Sequence, residues 1–266
     1  MCELLGMNCN VPTDICFSFT GFRERGGATD VHADGWGIAF FEGYGARLFL
    51  DPTPSAKSPL AEWVKAYPIH STNVIAHIRK ATKGAVGLEN THPFCRELWG
   101  RYWIFAHNGD LKNFYPTFNG SVLPVGKTDS ERAFCLILQT LRARFHKAPS
   151  QEALFESICQ ITLEIAEFGE CNFLLSQGDS LFAHASTRLS YIVRQAPFQT
   201  AHLKDQDLSV DFQKVTSDTD RVAIVATLPL TDDEIWNEIP AGTLCEFKDG
   251  ALIRQAKTKV GVRATP

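Results

Sequence analysis

The hydrophobic pattern changes period twice along the chain, and that order limits the fold more than any other feature. Residues 1 to 110 contain short runs of strand character, CELLGM, GWGIAFFEG, ARLFL, NVIAHIRKA and RYWIFAHNG, each bounded by Gly, Pro or Asp. One helix interrupts them: SPLAEWVKAY has Ser58 as a cap and Pro59 at its first helical position. From Asp129 to Phe145 the apolar residues recur at three- and four-residue intervals, and a second such run extends from Ser150 through Ile165. Five strand-like segments follow, ECNFLLSQ, SLFAHA, LSYIV, RVAIVAT and GTLCEF, with turns expected at Gly178-Asp179 and Asp249-Gly250. Strands, a helix pair, then strands again imply an α+β layered domain instead of an alternating parallel-sheet fold. The polar stretch from Asp205 to Asp220 reads as a long loop too short to separate two units, so a single domain is expected over residues 1–266.

Composition excludes several classes of function. A net charge of -4 without a basic run gives no electrostatic basis for nucleic-acid binding. The opening MCELLGMNCN has an acidic Glu3 and no basic or sustained apolar stretch, so neither a secretory leader nor a membrane anchor is expected. No run of 18 apolar residues occurs. A cytoplasmic protein acting on a small molecule is the resulting expectation. The eight cysteines form no CxxC pair and the histidines no HxxxH pair, which points to free thiols and to neither metal nor cofactor.

Position distinguishes Cys2 from the other cysteines. Once Met1 is removed, as a small second residue favours, Cys2 carries its own base: an α-amine with a pKa of about 7.7–8.0. The competing interpretation is a buried strand cysteine beside Leu4 and Leu5. Three further motifs each admit two interpretations. Asn108-Gly109 in FAHNGDL is by default a hairpin turn, but it also offers a side-chain amide and an unobstructed backbone N–H to an oxyanion. Arg79 in HIRKAT is either a solvent-facing strand residue or a bidentate carboxylate ligand. Thr128-Asp-Ser-Glu131 fits a capping box, making Asp129 a first-turn acid; alternatively Asp129 holds an ammonium group.

Together MCELLGMN, HADGWGIAF, IAHIRKATKG, LENTHPF, WIFAHNG and KTDSERAF resemble the class II glutamine amidotransferases, a family of N-terminal-nucleophile hydrolases, and especially its stand-alone YafJ-like bacterial group. IVATLPLT, residues 224 to 231, is similar to a late strand of that group. The resemblance implies a four-layer αββα sandwich that hydrolyses a γ-glutamyl amide. It gives Cys2 the nucleophile role and Asn108 and Gly109 the oxyanion hole. It assigns the substrate α-carboxylate to Arg79 and its α-ammonium to Asp129, with Thr82 and His92 supporting. His92 has a structural alternative, as the residue before Pro93. Where fused amidotransferases often carry tryptophan after the arginine, this chain has Lys80. Three functions follow as expectations: a glutaminase serving a separate acceptor enzyme, a γ-glutamyl peptide or metabolite hydrolase, and a non-catalytic module binding glutamate-like ligands or a protein partner.

Overall fold

The computed structural model describes residues 2–81 and 85–258. The first half contains β1 (Glu3–Thr13), α1 (Cys16–Glu24), β2 (Trp36–Glu42), β3 (Gly45–Asp51), α2 (Pro59–Ala66), β4 (Ser71–Ile78), β5 (Phe94–Leu98) and β6 (Arg101–Leu111). The helix pair follows as α3 (Asp129–Arg144) and α4 (Gln151–Ala166). The last part contains β7 (Gly169–Ser176), β8 (Ser180–Ala185), β9 (Ser190–Gln195), β10 (Thr200–His202), β11 (Ser209–Asp211), β12 (Arg221–Ala226), β13 (Asn237–Glu238), β14 (Thr243–Lys248) and β15 (Ala251–Lys257). Among the described residues no helix is long and apolar enough to cross a membrane.

Two antiparallel sheets stack face to face. One runs β13-β9-β12-β1-β4-β2-β3 and the other β15-β14-β8-β7-β6-β5. Alternation along each strand supplies a different core to each face. Leu4, Ala39, Ile75, Ile104, Ala106 and Leu174 fill the space between the sheets. Leu5, Met7 and Ala76 point the other way, against Phe19 and Phe22 of α1 and Ala61 and Val64 of α2. Phe105, Phe173 and Leu175 pack on Phe134 and Leu138 of α3 and Ile158 of α4. The layers are therefore α, β, β, α, as the resemblance implied.

The helices with recognisable starts are capped locally. The hydroxyls of Ser58, Thr128 and Ser150 accept from the N–H groups of Ala61, Glu131 and Ala153 at 3.2, 3.2 and 3.3 Å, each cap contributing about 1 kcal/mol. Only half of the expected box forms at α3. Glu131 turns its carboxylate to the N–H groups of Val125 and Gly126, at 3.0 and 2.6 Å, and to Arg96. Its side chain is 1% exposed, and a cation beside a buried carboxylate stabilises it more than the Thr128 amide would.

Two elements escape the pattern of the sequence. Helix α1 has Ile15 at its N-cap, whose side chain makes no cap bond, and buries Ser18 through Arg23 almost all round. It is held by packing, not by an amphipathic stripe. Strand β5 pairs with β6 through a turn at Trp99 and Gly100, whose φ angles are 58° and 76°. That places the hairpin ahead of β6, so Asn108-Gly109 is no turn. Asn108 lies opposite Asn172 and Gly109 opposite Cys171 within the β6–β7 ladder. Asp249 and Gly250 do adopt positive φ, at 49° and 74°, between β14 and β15.

Candidate active site

The edge where β1, β4 and β6 come together gathers the residues singled out in the sequence. Leu4 lies opposite His77 and Glu3 opposite Ile78 across the β1–β4 ladder. Leu4 points between the sheets, so Cys2 and His77 belong to the same inter-sheet face. The start of β1 is fastened on its other flank. The Leu4 amide donates to Thr227 Oγ1 at 2.9 Å, and the Thr227 amide returns a bond to the Leu4 carbonyl at 3.1 Å. Glu3 pairs at 3.0 Å with Arg25, which also donates to Asp205 and to the carbonyls of Leu228 and Pro229. The segment IVATLPLT thus holds the start of β1 in place.

Cys2 is half-buried and bracketed by two strands. The Lys80 amide donates to its Sγ at 3.2 Å, and Sγ lies 3.4 Å from the Lys80 carbonyl. The Cys2 amide nitrogen donates to Asn108 Oδ1 at 3.0 Å, while Asn108 Nδ2 donates to the Cys2 carbonyl at 2.5 Å. Asn108, itself 1% exposed, is held by Asn172, whose Nδ2 donates to the Asn108 carbonyl at 3.0 Å. One Nδ2 hydrogen of Asn108 bonds the Cys2 carbonyl, so the amide has a second hydrogen to offer. Burial pushes the Cys2 thiol up from its ordinary range, against the opposing effects of the Lys80 amide and the Arg79 guanidinium. A thiol in this state needs a base to become a nucleophile. Met1 lies outside the described residues.

Cys2, Arg79, His92, Gly109 and Asp129 line one cleft. Arg79 is 4% exposed, which removes the solvent-facing interpretation, and its Nη1 donates to the Ala85 carbonyl at 3.1 Å. Asp129 opens α3 and accepts from the Leu111 amide at 2.8 Å and from the Ser130 amide at 3.0 Å. Each carboxylate oxygen keeps a further lone pair. At Gly109 a Cβ would stand 1.9 Å from the Glu170 carbonyl oxygen. The approach of β7 therefore requires glycine there, independently of any ligand. Thr82 lies outside the described residues.

His77 and His107 reach the same cleft. The His92 ring lies 4.2 Å from that of His77 and 4.5 Å from that of Phe94. Its Nδ1 accepts from the His107 amide at 3.3 Å. His107 meets Ser130 Oγ at 2.8 Å through Nδ1 and the Glu170 carbonyl at 3.3 Å through Nε2. Burial pushes all three histidines down: His77 to about 3, His92 well below its ordinary value, and His107 in the same direction. All three are neutral at pH 7. Their positions, 77, 92, 107 and 130 for the serine partner, form no motif; the one signal available was that His77 shares the face of Cys2 and Arg79 by strand alternation.

Other reactive-looking features carry less chemistry. Cys16 borders a roomier cavity with Phe17, Phe198 and Phe212, and burial raises its thiol to about 12. Glu3, Asp30 and His32 bring ligand atoms within 4.8 Å of one another, but the Glu3 carboxylate is already paired with Arg25.

Comparison with known proteins agrees with this geometry. The model of the class-II glutamine amidotransferases matches residues 1–265. The chain belongs to that family. Among its members, a protein of Escherichia coli (strain K12) named YafJ, carried under a provisional glutamine amidotransferase name, is 52% identical over 91% of this chain and 95% of its own length. The crystal structure of a protein described as a predicted glutamine amidotransferase, from Pseudomonas aeruginosa PA01, superposes with a TM-score of 0.77 at 45% identity, over 95% of this chain and 99% of that one. A more distant relative, named gamma-glutamyl-hercynylcysteine sulfoxide hydrolase, from Mycobacterium tuberculosis, is 26% identical over 86% of this chain and 80% of its own length. The αββα sandwich is the N-terminal-nucleophile fold of the class II amidotransferases.

Proposed function

We propose that the protein hydrolyses γ-glutamyl amides through a thioester on Cys2, releasing ammonia or an amine. The observation that carries this is the placement of Cys2, its thiol against the Lys80 backbone and its own backbone against the Asn108 amide, in a cleft that Arg79 and Asp129 also line. With Met1 removed, the Cys2 α-amine takes the thiol proton and the thiolate attacks the γ-carbonyl carbon. The second N–H of Asn108 and the Gly109 amide receive the oxyanion, a preorganised arrangement typically worth 10²–10³ in turnover per donor. The amine then passes its proton to the leaving nitrogen. Water attacks the resulting thioester and glutamate departs. Arg79 binds the α-carboxylate of the glutamyl group and Asp129 its α-ammonium, with His92 and Thr82 in support. An amino-acid head group requires a cation and an anion held apart, and this pair supplies them.

The name of the Mycobacterium tuberculosis relative favours a second version of the same chemistry, in which the leaving group is larger than ammonia. Comparing kcat/KM for glutamine with that for γ-glutamyl amides of bulkier amines separates the two; equal or better turnover of bare glutamine refutes the second. Intact mass spectrometry with a glutamine-mimicking affinity label tests the shared chemistry. The expected result is loss of Met1 and one adduct on Cys2, abolished in Cys2→Ala. Binding of glutamate-like ligands without acylation of the wild-type protein would instead identify a non-catalytic module. Ammonia release that appears only with added acceptor enzyme would identify a glutaminase subunit.

A further inference from the structure

Two of the three buried histidines at the cleft have a proton fixed in place. His107 Nε2 faces the Glu170 carbonyl, which can only accept, so Nε2 carries the hydrogen and Nδ1 accepts from Ser130. His92 Nδ1 accepts from the His107 amide, which leaves its hydrogen on Nε2. His77 is different. It is 0% exposed, yet neither ring nitrogen makes a hydrogen bond of normal geometry among the described residues. The nearby His107 carbonyl pulls weakly toward a proton on His77 without forming such a bond. Buried polar groups of this kind are rare and call for a partner.

The position of His77 says where that partner sits. It borders the cleft of the Cys2 thiol. In the β1–β4 register Leu4 faces His77, so Cys2 is its diagonal neighbour on the same inter-sheet face. Diagonal neighbours across an antiparallel pair stand about 7–8 Å apart, a span that one hydrogen-bonded water bridges between two side chains.

We propose that His77 is the positioning residue for the water that hydrolyses the Cys2 thioester; the inference rests on the thioester chemistry proposed above. The water oxygen forms the new bond to the thioester carbonyl carbon and one of its protons passes to the Cys2 α-amine. The other O–H donates to a His77 nitrogen, which orients the water and takes no proton. The C–S bond then breaks, the thiolate recovers the proton from the amine, and glutamate leaves. His77 can do this because no hydrogen bond of normal geometry among the described residues fixes its tautomer and because it stays neutral.

The test separates acylation from deacylation with γ-glutamyl-p-nitroanilide, in the full-length protein. The p-nitroaniline burst reports acylation, the steady-state rate reports deacylation, and intact mass reports the acyl-enzyme. In His77→Leu the burst is expected to persist, while the steady-state rate falls about 10- to 100-fold, the range for one lost hydrogen bond to a buried group, and acyl-enzyme accumulates. Hydroxylamine, which attacks the thioester without a positioned water, should restore turnover. His77→Gln, which keeps a donor and an acceptor in the same place and guards against a misfolded leucine variant, should retain most of the rate. Unchanged steady-state turnover in both variants overturns the inference. So does a parallel loss of burst and steady state that hydroxylamine does not relieve. A wild-type protein whose Cys2 takes no glutamine-mimicking affinity label, and which forms no hydroxamate from γ-glutamyl-p-nitroanilide in the presence of hydroxylamine, refutes the thioester chemistry itself, and the inference with it.

Discussion

Replacing Asn108 by aspartate isolates the donor half of the clamp on Cys2. Oδ1 keeps its place at 3.0 Å from the Cys2 nitrogen, but the Nδ2 donor at 2.5 Å from the Cys2 carbonyl becomes a second acceptor. The lost bond is a neutral one, worth about 0.5–1.5 kcal/mol net, and for a chain of this size each kcal/mol moves Tm by about 2–4 °C. Folding should survive, but the drop in Tm should exceed what that bond alone implies and exceed that of Asn108→Ala, because the new carboxylate sits at a position 1% exposed and faces the Cys2 carbonyl. Catalysis should not survive, because the same group supplies the oxyanion donor. Loss of one such donor typically costs 10²–10³ in kcat, about 2.7–4 kcal/mol of barrier, and the added charge beside the thiol raises its pKa further. The assay is release of p-nitroaniline from γ-glutamyl-p-nitroanilide, with circular dichroism to confirm the fold and Asn108→Ala as the uncharged control. Turnover within tenfold of wild type in both folded variants would refute the assignment of Asn108 as an oxyanion donor.

Gly109→Ala places a Cβ 1.9 Å from the Glu170 carbonyl, so β6 and β7 must part; an overpacking cost of about 1–3 kcal/mol is expected in chemical denaturation, and unchanged stability would show that the strands yield freely. Arg79→Lys keeps the charge but loses the planar pair of donors, so KM should rise about 10- to 100-fold with a smaller change in kcat, and an unaltered KM removes Arg79 from the head-group site. Stability should fall with acid because His77 and His184, at about 3 and about 4, titrate below the unfolded value of about 6.5. The unfolded chain binds more protons than the folded one as pH drops below about 6.5, and each such histidine contributes a slope of up to about 1.4 kcal/mol per pH unit that ends at its own folded pKa. Urea midpoints measured from pH 8 to pH 4 check this, and a flat profile through pH 6 would contradict neutral burial.

Local signals account for much of what was legible in the sequence. Ser58, Thr128 and Ser150 announce their helices because a cap is a contact within three residues. The Asp249-Gly250 turn is likewise local, since both residues accept positive φ at little cost. By contrast Asn108-Gly109 has the same turn chemistry and runs straight through β6. The pairing of Asn108 with Asn172 and Gly109 with Cys171, contributed from more than 60 residues away, overrode it. Helix α1 was not legible for a related reason: its burial comes from elements on several sides, so no single stripe marks it.

The identities of the chemical groups followed from sequence alone. A cysteine at the second position, an arginine after a strand, an amide next to glycine and an acid at a helix start are covalent facts, and the joint occurrence of their motifs carried the family. Their relations were decided only by the folded chain. Strand register put Cys2 and His77 on one inter-sheet face. The approach of β7 made Gly109 obligatory. Burial among elements distant in sequence turned His77, His92 and His107 into neutral neighbours of the thiol. Desolvation and hydrogen-bond geometry depend on what surrounds a group in space, and no spacing along the chain encodes that directly.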